Sequence, residues 1–331
     1  MLLILSIIAL APALFLALIF FSHLCGLMNS KLTSWGLFLL ICCIWGSSFI
    51  LMKWGLYDSK WNPILSPYQV AAIRLLSAGI VMLPFLRPAL KNIPRYVVLY
   101  VLLSGWLGSF FPAFLFCIAE TKVDSAFAGT LNAITPLFVI ITGAVFFNLR
   151  TTTIKVIGVL VGLAGSALLV YANSSRPLGE IAYAGFVLLA TFFYGCNVNM
   201  ISKKLAGISS MHIAAIAFAG LIPPSLAILL STGYFNLPLA THGYVTSTIA
   251  GCILGIVGTA VASVLFYILV KKSGGLFASL VTYGIPFVAI SWGIYYGEKI
   301  TGLHILGLAI ILTGVYVANL KGRAVRNRDT T

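Results

Sequence analysis

Charges fall along this chain in small groups, and long stretches between them carry none. Charge-free runs cover Leu32–Met52, Tyr96–Ala119, Ser125–Leu149, Val156–Ser175, Ile181–Ile201, Ser273–Gly297 and Ile300–Leu320. Each is close to or above the about 20 residues that a helix needs to cross about 30 Å of hydrocarbon. The run Pro67–Leu86 holds one internal charge, Arg74. The stretch Leu205–Val270 is too long for one span, and a break is expected over Ser231–Thr248, where Gly233, Asn236, Pro238, His242 and Gly243 supply loop chemistry. The runs are continuously apolar and do not alternate, so they predict helices and not the strands of a barrel. The expected fold class is an all-α integral membrane protein with about ten transmembrane helices from residue 32 onward.

Composition agrees. Apolar residues make up 61% of the chain and charged residues 8%, against about 25% charged in a soluble domain. Lipid must therefore be the solvent for most of the exterior. A net charge of +14 would suggest nucleic acid in a soluble protein. Here the bases stand singly or in small groups with no binding module, so no nucleic-acid partner is expected and the bases read as topology signals. With Lys31 placed on the cytoplasmic side, alternate loops put fourteen bases inside: Lys31, Arg87, Lys91, Arg95, Arg150, Lys155, Lys203, Lys204, Lys271, Lys272, Lys321, Arg323, Arg326 and Arg328. Five fall outside: Lys53, Lys60, Lys122, Arg176 and Lys299. That bias predicts a multi-pass protein of the inner (cytoplasmic) membrane with both ends of the ten-helix unit cytoplasmic.

The segment 1–31 is a separate expectation. Its apolar run is long enough to span, yet no Lys or Arg precedes it as in a usual signal peptide. It fits an extra helix, an atypical signal sequence, or residues upstream of a true start at Met28, the reading preferred here. The chain then divides into 32–172 (helices 1–5), 179–321 (helices 6–10) and a basic cytoplasmic tail, 322–331.

The division rests on an internal repeat. Sliding the chain by 150 residues aligns 105–151 with 255–301 at 12 identities in 47 positions, among them Gly105/Gly255, Gly108/Gly258, Phe116/Phe266 and Pro136/Pro286. With a one-residue shift, Gly158 and Gly165 match Gly307 and Gly314. Each half holds five helices, an odd number, so the second must enter the membrane from the opposite side. Inverted five-helix repeats are the architecture of secondary transporters, with a site between the halves near the midplane.

Short motifs then fall in a familiar order. Trp45-Gly46-Ser47-Ser48-Phe49 precedes Lys53; Pro67 precedes Ala72-Ile73-Arg74; Ala278-Ser279-Leu280 and Pro286 precede Gly297-Glu298-Lys299-Ile300-Thr301. In these, over residues 32–320, the chain resembles the EamA-type transporters of the drug/metabolite transporter superfamily. It departs from the pattern at Asn148-Leu149-Arg150, where that family often has Gly-Glu. The resemblance implies ten helices in two EamA repeats and export or exchange of small solutes such as amino acids.

Arg74 is the one charge well inside a helix, about 10 Å from the outer face at about 1.5 Å per residue. Two readings stand: it faces a cavity and attracts a carboxylate or phosphate, or it snorkels and ties helix ends together. Ser47, Ser48, Asn132, Asn197, Asn199, Thr135 and Thr282 lie at mid-helix depth, to contact solute or to bond between helices for about 0.6–2 kcal/mol each. Trp45, Trp106, Tyr194, Tyr267, Tyr283 and Trp292 are cavity-wall or interface aromatics. The candidate substrate-binding set is Trp45, Ser47, Ser48, Arg74, Asn132, Tyr194, Asn197, Thr282 and Tyr283. Pro136 and Pro286 are hinge or structural candidates, freeing backbone carbonyls. Glycine pairs Gly158/Gly162, Gly251/Gly255 and Gly293/Gly297 have the spacing of close helix contacts.

No Walker A sequence, HExxH, GxSxG or CxxC is present, so neither an ATP motor, nor a metal or other cofactor, nor an enzyme is expected. All six acids (Asp58, Glu120, Asp124, Glu180, Glu298, Asp329) map to helix ends, loops or the tail. Hence uniport or exchange down a solute gradient is expected, with Glu298 the one candidate for coupling. The reading is a secondary transporter of a small polar metabolite, an amino acid or relative, working by alternating access. Its partners are that solute and the bilayer, and a homodimer is compatible with it. Efflux of amphipathic drugs is an alternative. A membrane enzyme acting on lipid carriers is another, needing an acid or histidine cluster at one interface, which the sequence does not suggest. A chain begun at Met28 is expected to insert and transport as the full chain does; loss of either on removing residues 1–27, read by membrane fractionation and transport, contradicts that start.

Overall fold

The computed structural model of the protein describes residues 30–58, 60–149, 152–172 and 182–319. Most of the segment 1–31, Arg150, Arg176 and the basic tail lie outside the described residues.

Helices account for the described chain, with no strand beyond one isolated bridge, Tyr57 to Pro63. In chain order these are α1 (Ser30–Leu56), α2 (Pro67–Met82), α3 (Leu86–Asn92), α4 (Arg95–Gly105), α5 (Phe111–Ala119), α6 (Ser125–Leu131), α7 (Thr135–Phe147), α8 (Thr153–Ala172), α9 (Ala184–Lys203), α10 (Ser210–Ser231), α11 (His242–Gly255), α12 (Ala262–Ser273), α13 (Gly275–Ser279), α14 (Val281–Tyr295) and α15 (Gly302–Asn319). Several join end to end. A 3-10 turn, Leu83–Phe85, carries α2 into α3, and another, Asn132–Ile134, carries α6 into α7. Wider π-helical segments, Trp106–Phe110 and Ile256–Val261, link α4 to α5 and α11 to α12. Eight of the resulting rods are long and apolar enough to cross a membrane, and two shorter apolar helices, Thr153–Leu169 and Gly302–Ala318, accompany them.

Sequence dictates the ends locally. Ser66 caps α2: its Oγ accepts from Gln69 N at 3.2 Å while Gln69 Oε1 accepts from Ser66 N at 2.9 Å, and Pro67 occupies the first turn, where a missing N–H is harmless. The break expected over Ser231–Thr248 is shorter than that. Helix resumes at His242 after the extended Thr241, and Thr246 Oγ1 donates back to the His242 and Gly243 carbonyls within it.

The rods at the centre are α2 and α11–α12. Val70, Ala71, Ala72, Leu75 and Ala78 of α2 are fully buried, and the small side chains let neighbours approach on both sides. Large apolar side chains such as Leu39, Leu99, Phe146, Leu160, Leu230, Phe287 and Ile294 face outward instead, the reverse of a soluble protein's surface and suited to lipid. Around the centre α1 packs on α11 and α14, α9 on α5 and α7, α2 on α10, and α8 on α15.

In lipid, apolar burial gives little drive for helices to associate, so close packing of small residues must supply it. The α8–α15 seam shows this. A Cβ on Gly158 would strike the Gly314 carbonyl and the Ala318 amide, and one on Gly165 would meet Ile311 N at 2.7 Å and Gly307 O at 2.9 Å. Gly251 and Gly255 likewise bring α11 against α2. Gly297 does not fit the expected pattern: it stands at φ +79° beyond α14 with open space around it, a turn glycine chosen for its backbone. Gly158→Ala is expected to lower stability by about 1–3 kcal/mol through overpacking, while Gly36→Ala, where nothing lies within 4 Å, is neutral or mildly stabilising. Thermal unfolding of both variants in detergent checks this; equal behaviour contradicts a tight seam.

Candidate functional site

Where the rods converge, a cavity opens at mid-bundle. Helix α1 presents Trp45, Ser48, Phe49 and Met52 to it, positions i, i+3, i+4 and i+7 of one helical face. Arg74 enters from α2, Asn132 and Thr135 from the α6–α7 turn, Tyr194 and Asn197 from α9, and Ser279 and Thr282 from the start of the α13–α14 rod. Phe116, Phe266 and Tyr267 complete an aromatic wall, with Trp45 at 5.0 Å from Phe266 and Phe116 stacked at 6.0 Å on Tyr194.

Thus seven of the nine candidates from the sequence, Trp45, Ser48, Arg74, Asn132, Tyr194, Asn197 and Thr282, line one cavity. Ser47 and Tyr283 do not. Ser47 lies on the neighbouring face of α1, where its Oγ accepts from Trp292 Nε1 at 2.9 Å, and the Tyr283 hydroxyl is buried without a hydrogen-bond partner among the described residues. Pro136 starts α7 directly after the 3-10 turn, and Pro286 lies inside α14. Asn199 is a packing residue: its amide donates to Val139 O at 2.8 Å, Thr142 Oγ1 at 3.0 Å and Gly195 O at 3.0 Å.

Both π-helical segments reach the cavity, through Gly108 and Ser109 and, 150 residues later, Gly258 and Thr259. Such a segment leaves backbone groups open to other partners, and Trp45 Nε1 donates to the Gly258 carbonyl at 3.0 Å. Sequence reasoning did not foresee these segments. Their trace was the paired glycines Gly105/Gly255 and Gly108/Gly258 in the repeat.

Thr259 decides what Arg74 does. The Thr259 hydroxyl donates to Leu254 O at 3.0 Å, which turns its lone pairs toward Arg74 Nε, bound at 2.6 Å. Arg74 Nη1 has only the weak acceptor Met52 Sδ, at 4.0 Å. The guanidinium is buried, anchored by one edge, and forms no ion pair with a carboxylate among the described residues. Its remaining N–H groups are available at the cavity wall.

A second polar cluster closes one end of the bundle. Lys53 is buried, and its Nζ donates to Glu120 O at 2.6 Å and Val123 O at 2.9 Å, the open carbonyls that follow α5. Glu298, held ahead of α15, accepts from Ser125 N at 3.0 Å and Ala126 N at 2.9 Å, capping α6 from a distant part of the chain. The carboxyl of Glu120 is fully buried beside them, with Oε2 accepting from Ser125 Oγ at 3.0 Å and 3.9 Å from Lys53 Nζ. Burial pushes Glu120 up to about 8 against the pull of Lys53. Burial also raises Glu298, opposed by the Ala126 amide. The sequence suggested no acidic cluster at one interface; folding the 120–125 loop against the 298 turn makes one. Glu298 serves there as a helix cap, away from the cavity.

The sequence profile of the EamA-like transporter family matches residues 32–171 and again 182–320. The chain belongs to that family. Within the drug/metabolite transporter superfamily, it is 26% identical over 311 residues to a protein of Salmonella typhimurium named probable amino-acid metabolite efflux pump, covering 87% of this chain and 95% of that one. It is 26% identical over 305 residues to the probable terminal-alkyne amino-acid exporter of Streptantibioticus cattleyicolor, covering 90% and 96%. The inner membrane transporter YedA of Escherichia coli, itself uncharacterised, is 25% identical over 296 residues, covering 84% and 87%. A solved crystal structure matches with TM-score 0.58 over 88% of this EamA-like chain and 99% of the other at 17% identity, which shows a shared fold.

Removing the distant cap tests the end cluster. Glu298→Ala is expected to cost about 0.5–2 kcal/mol, with Glu298→Gln retaining part of the stability as a neutral acceptor. Thermal unfolding in detergent checks it, and no loss in Glu298→Ala contradicts the capping role.

Proposed function

We propose that this chain is a secondary transporter that exports a small polar metabolite bearing a carboxylate, an amino acid or a close relative, across the cytoplasmic membrane by alternating access. The observation that carries the reading is Arg74: a buried guanidinium anchored by Thr259 at 2.6 Å, with no carboxylate partner among the described residues, on the wall of a mid-bundle cavity. A buried charge without a counter-ion is costly, and a solute carboxylate received there by two parallel N–H bonds supplies one. Asn132, Asn197, Ser48 and Thr282 offer donors and acceptors for the solute's other polar groups, and the aromatic wall takes its apolar part. The names of the Salmonella and Streptantibioticus relatives, both concerned with amino-acid export, support the solute class.

Alternating access rests on a second reading, ten helices in two inverted repeats over 32–172 and 179–321, with both ends cytoplasmic. The π-helical segments 150 residues apart support it. So does the exchange of neighbours: α1 packs on α14 as α9 packs on α7, and α1 on α12 as α9 on α5. In such a pair of halves Arg74 and Thr259 come from opposite repeats, so a solute held by Arg74 sits on the seam that opens to each side in turn. The aromatic wall also suits efflux of amphipathic drugs, and solute charge separates the two readings.

In proteoliposomes loaded with a panel of L-amino acids, Arg74→Ala is expected to raise KM about 10- to 100-fold, the equivalent of a charge-assisted bond of about 1.5–3 kcal/mol. Arg74→Lys keeps the charge without the planar fork and is expected to fall between. Unchanged kinetics in both, with normal expression, overturn the role; efflux of neutral and cationic amphiphiles that ignores Arg74→Ala favours the drug reading.

A further inference from the structure

The cluster that closes the Lys53 end holds one titratable group whose bonding is incomplete. Lys53 is engaged by two carbonyls, and both Glu298 oxygens are engaged by backbone N–H groups. Glu120 differs. Its side chain is wholly buried, Oε2 accepts one hydrogen bond from Ser125 Oγ at 3.0 Å, and Oε1 has no hydrogen-bond partner among the described residues. Lys53 Nζ stands at 3.9 Å, close enough to attract the charge but too far for a hydrogen bond. A buried carboxylate oxygen without a donor is costly, and a proton removes the charge that makes it so.

The cluster is also where separate pieces of chain meet: the end of α1 through Lys53 and Tyr57, the end of α5 and its loop through Glu120, Thr121 and Val123, the start of α6, and the turn before α15 through Glu298. Parting these pieces would admit water to Glu120. Keeping them together keeps the carboxyl dry.

We propose that Glu120 is a proton-binding site tied to closure of this end of the bundle. The carboxyl holds a proton on Oε1 while the cluster is shut; when the cluster parts, the O–H bond breaks, the proton passes to water and the carboxylate is solvated. No other reactant is needed. The groups around it pull in both directions. Lys53 from α1 favours the charged form, as does the Ser125 hydroxyl; Glu298 and Asp124 favour the neutral form, and burial, the largest influence, does so too. Tyr57 from α1 and Cys117 from α5 also feel its charge, and Lys122 stands two residues on in the same loop.

The direction follows by linkage. Shut, Glu120 is pushed up to about 8 from its ordinary 4.5; parted and wet, it returns toward that ordinary range. The shut form therefore binds a proton that the parted form releases. It is favoured in acid, and the preference is lost as pH rises through about 8. Transport would then depend on protons, unlike the uniport or exchange that the placement of the acids in the sequence suggested. The proposal rests on the two-state carrier reading above, but its test needs no solute, so failure here and failure of the solute site are separate results.

The full-length protein in lipid nanodiscs serves for both readouts. Infrared difference spectra across a pH titration are expected to show the carbonyl stretch of a protonated acid titrating with a midpoint near 8, and to lose it in the near-isosteric Glu120→Gln. Ser125→Ala, which removes a donor to the charged form, is expected to move the midpoint upward. In a cysteine-free background, the distance between nitroxides at Lys60→Cys and Lys299→Cys is expected to lengthen at alkaline pH, and to stay short when Glu120→Gln is added. A band of that midpoint that survives Glu120→Gln undiminished, or the same pH-dependent lengthening with and without that change, overturns the proposal.

Discussion

A buried positive charge in a protein whose solvent is lipid constrains everything around it. Arg74 can be kept at mid-bundle only where its backbone, its stem and its charged head are all accommodated, and each need has left a mark. The backbone is met by Gly255, where a Cβ would strike the Arg74 carbonyl and Ser77 Oγ. One edge of the head is met by Thr259, whose hydroxyl faces the guanidinium because its own hydrogen is bound to Leu254 O. The rest of the head is left to whatever enters the cavity. The same constraint suits the small residues that α2 carries on either side of Arg74, Ala71, Ala72, Ser77, Ala78 and Gly79: a slim helix can stand at the centre with a long basic side chain extending from it into a cavity.

The π-helical segments follow from that need. A regular α-helix at Ile256–Val261 would keep its carbonyls bonded within the helix. The wider turn instead brings the Gly258 carbonyl to Trp45 Nε1 and the Thr259 hydroxyl to Arg74. The equivalent segment at Trp106–Phe110 places Gly108 against Asn197, which in turn accepts from Ser104 Oγ at 2.7 Å. Two irregular turns, one in each half, thus set the polar lining, and the end cluster of Lys53, Glu120 and Glu298 ties the surrounding helices together at one face.

Much of this was legible in the sequence, for reasons that also mark where legibility stopped. Lipid demands long uncharged runs, so charges alone located nearly every helix, and Arg74 stood out because it breaks that rule. Trp45, Ser48 and Asn197 were readable as polar or aromatic groups at mid-helix depth. Depth does not give azimuth, however, and Ser47, one residue from Ser48, turns to Trp292 instead. The π-helical segments left no local signal beyond paired glycines, because the widening depends on what packs against it. Glu120 read as a loop acid outside the membrane path; its burial is made by α1 and by a turn almost 180 residues away in the chain, contacts that no local pattern records.

The proposed transport turns on recognition of a solute carboxylate by the Arg74 guanidinium. The most direct measurement compares the affinity of the purified protein for an L-amino acid and for its carboxamide, which has the same shape and amino group but no negative charge, followed through the fluorescence of Trp45 at the cavity wall. The amide is expected to bind at least about tenfold more weakly, and Arg74→Ala to abolish the difference. Equal affinities for the acid and the amide in the native protein would contradict it.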